Sequence, residues 1–277
     1  MSMRGLLFLT AGFIARRTAV GVCVFTALAL AQSFDTAAAR AQSVSASNPS
    51  QTEPPAYQWG TPPVMDNQIF GHILFNQFEE RTNGPDNEFR WDGEGWVGTD
   101  TNKLWIKSEG FVEHGKMTDS DQEALYDRPI PFLRYFDLQA GVRYDLDSDP
   151  GRTWGAIGVE GLAPYFFEFE PTFYFSDNGR LAGRIEGSYD LLITNRLILQ
   201  PQFEVNLYSK RDPSRGIGSG LSDLDAGLRL RYEISRKFAP YIGFAYNQAF
   251  GETASFIRAE GGIVHDPRFI FGVRVWY

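Results

Sequence analysis

Apolar and polar residues alternate with a period of two along most of the chain. In residues 224–234 the apolar side chains occupy one parity, and charged residues or glycine occupy the other. The same alternation recurs at 136–146, 181–191 and 197–207. Such a period is typical of β-strands with one apolar and one polar face. These runs cover about 11 residues, whereas strands of soluble proteins average about 5–6 and tilted membrane-spanning strands need about 9–11. The pattern therefore favours membrane-spanning strands over a soluble β-sandwich.

The number and spacing of these segments predict a closed barrel. Twelve candidate strands lie near residues 68–79, 88–98, 103–114, 121–130, 132–146, 152–162, 165–176, 180–193, 196–208, 221–234, 239–250 and 267–277. Short joins alternate strictly with longer or more polar ones, and the segment GKMTDSD (115–121) is one of the longer, outer joins. Bacterial outer-membrane barrels have an even strand number, short periplasmic turns and longer outer loops. We therefore predict an all-β fold, a closed antiparallel transmembrane β-barrel of about 12 strands over 67–277, with both termini on the periplasmic side.

The last strand, FIFGVRVWY (269–277), has one wholly apolar parity and ends on an aromatic residue. In a closed barrel this face meets lipid, and a terminal aromatic ring lies at the membrane interface. The stretch also resembles the C-terminal signature of outer-membrane proteins that the barrel-assembly machinery reads. That resemblance implies an assembly signal carried by Phe271, Val273, Val275 and Tyr277.

The first 66 residues are predicted to lie outside the barrel. Arg16 and Arg17 precede a 14-residue apolar stretch at 18–31, and an Ala-x-Ala site follows at 39–41. This order is typical of an export signal, so we expect residues 1–41 to be a signal peptide. Residues 42–66 are rich in Ser, Pro and Thr, which predicts a flexible periplasmic tether.

Charge limits the partners and predicts the lining of the lumen. The chain has a net charge of −8, and residues 42–277 alone carry 22 basic and 33 acidic side chains, which argues against nucleic acid as a partner. We expect the outer-membrane lipid to be the partner of the apolar parity. The polar parity should face the lumen, where charges pair or meet water. The candidate lumen charges are Glu109, Asp137, Arg143, Glu168, Glu170, Arg184, Arg229, Arg231 and Arg274.

Several longer motifs are distinctive, among them DGEGWVGTD (92–100), KLWIKSEG (103–110), YDLLITNRLILQP (189–201) and RGIGSGLSDLDAGLRLRYEI (215–234). Together they resemble the copper resistance protein B family of Gram-negative outer membranes, and the resemblance covers about 66–277. It implies a protein of the cell outer membrane that contributes to copper resistance and homeostasis. It also implies that a periplasmic multicopper oxidase or copper carrier is a partner.

The candidate copper ligands are few. Members of the family often carry a Met- and His-rich segment before the barrel, but residues 42–66 contain only Met65 and no histidine. Thioether sulfur and imidazole are the ligands that copper(I) favours. The best soft pair is His114 with Met117, near Asp119 and Asp121 on a predicted outer loop; the alternative is a solvated loop without metal. We expect at most one weak copper site there.

Three functions remain open at this stage. The barrel contributes to copper resistance either by binding copper or by controlling its passage, or it is a generic porin for small solutes. An enzyme is not expected, because no G-x-S-x-G nucleophile motif accompanies the loop histidines His114 and His265. His72 is expected to be a packed histidine, and His265 an ordinary loop residue.

Overall fold

A computed structural model of the protein describes residues 68–84, 87–146 and 151–277. The predicted signal peptide (1–41) and tether (42–66) lie outside the described residues. Within the described ranges, no helix combines the length and the apolar character that crossing a membrane requires.

The described chain is almost entirely β-structure. The strands are β1 (Phe70–Thr82), β2 (Asn87–Thr99), β3 (Asn102–Glu113), β4 (Lys116–Pro129), β5 (Phe136–Asp145), β6 (Arg152–Ala163), β7 (Phe167–Ser176), β8 (Arg180–Ser188), β9 (Leu191–Leu192), β10 (Leu197–Tyr208), β11 (Gly220–Tyr232), β12 (Phe238–Ala249) and β13 (His265–Trp276). The two-residue β9 continues the line of β8 along β10, so twelve full strands form the sheet. One helix, α1 (Gly251–Ala259), lies in the join between β12 and β13.

The sheet closes on itself. The full strands pair antiparallel in chain order, with β8 and the short β9 both paired to β10, and β1 pairs with β13 through contacts such as Phe75 with Val275. The backbone of Tyr277 exchanges two hydrogen bonds with Ile73, at 2.8 and 3.0 Å. Each of the twelve full strands in the described residues is therefore paired along both edges, which keeps the backbone hydrogen bonds of these strands within the sheet, as a membrane-spanning barrel requires. The predicted fold, a closed antiparallel barrel of about 12 strands, is confirmed.

The two faces of each strand differ as the alternation predicts. Leu228 is 45% exposed and faces outward, whereas its neighbour Arg229 is 2% exposed and faces the lumen. On β13, Phe271 is 50% exposed and Ile270 is fully buried. The outer surface is therefore apolar and suited to lipid, and the charges lie inside.

Two predictions about the joins are wrong. The outer join between β3 and β4 is the two-residue turn His114-Gly115, since β4 begins at Lys116 and includes most of the predicted loop 115–121. Both turn residues have positive φ (50° and 74°), as tight hairpins require, and glycine adopts such angles without steric cost. On the inner side, the join at 189–196 has eight residues, so long and short joins do not alternate strictly.

Candidate functional site in the barrel lumen

Glu79 is the centre of a buried ion-pair cluster in the outer half of the lumen. It accepts hydrogen bonds from Arg81 Nε (2.8 Å), from Arg229 Nε (2.9 Å) and Nη2 (2.8 Å), and from the Tyr241 hydroxyl (2.9 Å). Arg81 also reaches Asp225 at 2.5 Å. Glu79, Arg81 and Arg229 are each no more than 2% exposed. The cluster therefore ties β1, β11 and β12 together across the lumen.

A second cluster lies on the opposite wall. Asp121 of β4 accepts from Arg143 Nη2 and Arg184 Nη2, both at 2.8 Å. Arg143 Nε also donates to Asp145 (2.8 Å), and Asp145 receives Arg215 from the join between β10 and β11 at 2.9 Å. The predicted role of Asp121 as a neighbour of a copper ligand pair does not fit this arrangement, because two arginines hold its carboxylate.

Arg90 of β2 connects the two clusters. Its guanidinium lies 3.0 Å from Glu204 and 3.3 Å from Asp225, and 4.7 Å from the centre of the Phe111 ring. Arg184 pairs with Glu109 as well. Removing one partner of a buried ion pair typically costs about 3–5 kcal/mol, because the remaining charge stays uncompensated. The outer half of the lumen is therefore filled by charges that resist separation.

The two longest outer joins hold each other over this end. Thr253 of α1 bonds to the backbone N–H of Gly218 (2.8 Å) and to the Ser222 hydroxyl (3.0 Å). A side chain at Gly218 would come within 2.5 Å of the Thr253 nitrogen, so the contact requires glycine. Glu252 accepts from the N–H (3.2 Å) and the hydroxyl (3.1 Å) of Ser219, and these bonds lower the pKa of Glu252.

Asp212 anchors the join at 209–219 to the barrel wall. Its carboxylate accepts from Arg152 Nη2 and Arg180 Nη1, both at 2.7 Å, and from the Ser214 hydroxyl at 2.5 Å. Burial opposes ionisation, but the hydrogen bonds from Ser214 and Arg152 and the charges of both arginines outweigh it and lower the pKa of Asp212 to about 2. The anchor is therefore ionised at neutral pH.

The lumen contains a cavity of about 380 Å³, and its lining includes Asp121 and Arg184 of the second cluster. It reaches the inner ends of the strands, since Leu162 and Ser188 belong to its lining. Nine acidic and three basic side chains line it: Asp92, Glu94, Glu109, Asp121, Glu123, Glu160, Glu168, Glu170 and Glu186, with Lys107, Arg184 and Arg274. This excess of carboxylates favours cations over anions.

Lys107 of β3 lies among these acids. Its ammonium group pairs with Glu160 at 3.3 Å and with Glu170, and it is in register with Glu94 on the adjacent strand. A lysine head group thus occupies a place where carboxylates converge. Lys107 therefore compensates part of the negative charge of the cavity wall.

The structure places all nine sequence-predicted lumen charges on the lumen side and engages each of them. Asp137 pairs with Lys103 at 2.8 Å, Arg231 with Asp190 at 2.6 Å, and Glu168 accepts from Ser188 at 2.5 Å. The sequence analysis missed Glu79, Arg81, Arg90, Glu94 and Asp225 as members of these clusters. A bulge between Phe75 and Gln77 shifts the parity of β1, so the alternation did not assign Glu79 and Arg81 to the lumen.

The predicted soft pair lies at the outer rim. His114 occupies the β3–β4 turn and Met117 follows in β4, in register with Val112. In the described parts of the chain, no group of three or more His, Cys, Asp or Glu side chains is arranged to hold a metal ion. The assignment of His114 and Met117 as copper ligands stays a prediction.

The other histidines lie elsewhere. The His72 ring lies 5.6 Å from the Trp276 ring and 6.3 Å from the Trp96 ring, centre to centre. His265 is the first residue of β13 and contacts Gln248, so its assignment to a loop is wrong.

A closed ring of long antiparallel strands, apolar outside and charged inside, defines an outer-membrane β-barrel. The sequence profile of the copper resistance protein B precursor matches residues 69–277. A relative from Escherichia coli, "Copper resistance protein B", is 44% identical over 214 residues, which cover 77% of this chain and 72% of the relative. A second, "Copper resistance protein B homolog" from Pseudomonas syringae pv. tomato (strain ATCC BAA-871 / DC3000), is 39% identical with the same coverage. The chain belongs to the copper resistance protein B family, which supports a role in copper resistance.

Among solved structures, the chain resembles two porins. The NanC porin aligns with a TM-score of 0.48 and 13% identity, covering 74% of this chain and 99% of the porin. The KdgM porin aligns with a TM-score of 0.43 and 12% identity, covering 74% and 98%.

Proposed function

We propose that this protein contributes to copper resistance and homeostasis at the Gram-negative outer membrane by controlling copper passage. The inner half of the lumen collects copper ions from the periplasm, and the outer half holds the path closed. Copper is the cargo in this scheme, and export through an N-terminal signal peptide places the barrel in that membrane.

The observation that carries the proposal is the asymmetry of the lumen. A cavity with nine acidic side chains in its lining reaches the inner ends of the strands and extends as far as Asp121 and Arg184, where the packed arginine–carboxylate pairs begin. A carboxylate about 10 Å from a divalent ion in water lowers the energy of that ion by about 0.8 kcal/mol. Three such ionised groups give about 2.5 kcal/mol before salt screening, and screening over about one Debye length leaves about 0.9 kcal/mol, or roughly fivefold enrichment. The inner half should therefore concentrate copper(II) relative to the surrounding solution.

Copper sequestration by the barrel itself is a weaker hypothesis. The described residues offer no cluster of metal ligands, and the only soft pair lies at the outer rim, away from the cavity. We expect at most one weak site, with His114 and Met117 as ligands. The scheme therefore needs no stably bound ion.

A generic porin for small solutes is the main rival. It requires a lumen open from end to end, whereas the Glu79 and Asp121 clusters fill the outer half with buried charges. Passage through this barrel requires the clusters to separate, which limits flux. Docking of a periplasmic multicopper oxidase or copper carrier at the inner mouth is compatible with either scheme.

Complementation of a deletion strain tests the proposal. The triple variant Glu94→Gln, Glu170→Gln, Glu186→Gln removes three cavity carboxylates and keeps the side-chain shapes. We expect this variant to lose most copper tolerance, while the matched variant Glu233→Gln, on an inner turn outside the cavity, keeps it.

Both variants should reach the outer membrane at wild-type levels and shift in gel mobility on heating, which shows that the barrel is folded. Full copper tolerance of the folded triple variant would contradict the proposed role of the cavity.

A further inference from the structure

One sector of the inner rim differs from the rest in exposing large apolar side chains beside arginines. Three successive inner joins form it: 130–135, 164–166 and 189–196. The most exposed apolar residues are Phe132 (82%), Tyr135 (73%), Tyr165 (84%), Phe166 (79%) and Leu192 (69%). With Arg128, Arg134 and Arg196 they make up what we call the basic-aromatic arc.

The arginines of the arc differ from those of the lumen. Arg128, Arg134 and Arg196 are exposed, and none of the three forms an ion pair within the described part of the chain. Segments 128–135 and 164–166 contain no acidic residue, and the single acid of join 189–196, Asp190, pairs with Arg231 of the lumen at 2.6 Å. By contrast, the two clusters of the outer half pair every arginine they contain. The arc thus carries uncompensated positive charge.

The position of the arc identifies what it meets. Arg128 lies near the inner end of β4, two residues after Tyr126, and it is in register with Leu138. Tyr126 and Leu138 are 50% and 45% exposed on the lipid-facing side of the barrel. Aromatic rings settle at the headgroup level of a bilayer, and arginine side chains near a strand end reach the phosphates. Lipid is therefore the natural neighbour of this surface.

The backbone at the centre of the arc is unusual. Tyr165 and Phe166 both have φ in the left-handed region, at 69° and 64°. Large aromatic residues rarely adopt this conformation, because it is sterically strained. The turn nevertheless holds both aromatic rings outward, so we expect contacts of these rings with their surroundings to offset the backbone strain.

We propose that the basic-aromatic arc binds anionic phospholipid headgroups in the periplasmic leaflet of the outer membrane. The aromatic rings enter the interface, and the three guanidinium groups bind phosphate oxygens, which their planar donor fork matches. An anionic lipid fits better than a zwitterionic one, because an ammonium headgroup would be repelled by unpaired arginines. Neighbouring strands lie about 4.8 Å apart, so the arc spans several headgroups.

Spin-labelled lipids in vesicles test this. In purified full-length barrel, we expect the motionally restricted fraction of labelled phosphatidylglycerol to exceed that of labelled phosphatidylcholine. Each Arg→Gln substitution should reduce this selectivity by roughly fivefold, the factor that one basic residue at an anionic surface gives, and the variant Arg128→Gln, Arg134→Gln, Arg196→Gln should abolish it. High salt should have the same effect on the wild type.

The matched control is Arg236→Gln. Arg236 is exposed on the β11–β12 inner turn, outside the arc, and it pairs with Glu233 at 3.3 Å. Its removal should leave lipid selectivity unchanged, and gel mobility before and after heating verifies that each variant is folded. Equal selectivity of the triple variant and the wild type, or an equal loss in the control, would overturn the proposal.

A nitroxide attached at Phe132→Cys distinguishes lipid from a protein partner. In the lipid arrangement, dissolved oxygen relaxes the label more strongly than a water-soluble nickel complex does. The reverse order would place the arc in the periplasmic water, where it would face a periplasmic protein, and would refute the lipid assignment.

Discussion

Replacing Glu79 with glutamine should destabilise the barrel far more than any exposed charge change. The carboxylate accepts four hydrogen bonds, three from arginines and one from Tyr241, and its side chain is completely buried. Glutamine has nearly the same shape, but its NH₂ group would face an arginine donor. Two buried guanidinium groups then lose a counter-charge, for which we expect a cost of about 3–5 kcal/mol in the free energy of unfolding.

The assay is urea or thermal unfolding of the barrel in lipid vesicles. A loss of about 3 kcal/mol corresponds to a fall of roughly 6–12 °C in the unfolding midpoint for a domain of this size. The control Glu233→Gln breaks the exposed pair with Arg236 and should cost less than about 1 kcal/mol. Adding Arg229→Met to Glu79→Gln removes charge on both sides and should recover about 1–2 kcal/mol. Equal midpoints for Glu79→Gln and the control would refute the assignment of the cluster as a closing element.

Three further predictions follow from the loops, the terminus and the soft pair. Because Asp212 has a folded-state pKa of about 2, below its unfolded value of about 4, its stabilisation of loop 209–219 is full above about pH 4 and is lost as the pH falls to about 2. Hydrogen exchange of the loop should show this in the wild type, whereas Asp212→Asn should exchange quickly already at pH 7. For Tyr277→Asp we expect a low outer-membrane level but nearly normal stability once folded, since a charge near the interface costs about 0–1 kcal/mol; normal levels in cells would count against an assembly signal. In equilibrium dialysis with copper(I), the barrel should bind at most one ion weakly, and less after His114→Ala with Met117→Ala; several tightly bound ions would disprove this.

The fold was predictable because lipid and lumen impose opposite demands on alternate residues. In β11 the sequence alone predicts that the leucines from Leu224 to Leu230 share one face and that Arg229 and Arg231 share the other. The structure has these residues on opposite faces of the strand. Strand ends were less predictable. The β3–β4 turn is set by His114 and Gly115 adopting positive φ, a property that alternation does not reveal.

The candidate site was predictable only in part. The bulge after Phe75 changes which residues of β1 face inward, so the alternation did not assign Glu79 to the lumen, and Arg81 lay beyond the predicted strand 68–79. Helix α1 is short and mixed in character, and its place depends on contacts of Thr253 with Gly218 and Ser222. Such contacts join residues more than 30 positions apart, and a period of two or 3.6 carries no information about them.

Copper flux through purified barrels tests the central claim most directly. Vesicles that enclose a copper-quenched fluorophore are prepared with the wild-type barrel or with Glu79→Gln, which loosens the outer cluster. We predict slow copper entry with the wild type, faster entry with Glu79→Gln, and slower entry again when Glu94→Gln, Glu170→Gln and Glu186→Gln are added. Rapid entry through the wild type at the rate of an open porin, or a rate in Glu79→Gln that the three cavity substitutions leave unchanged, would contradict control of copper passage by this lumen.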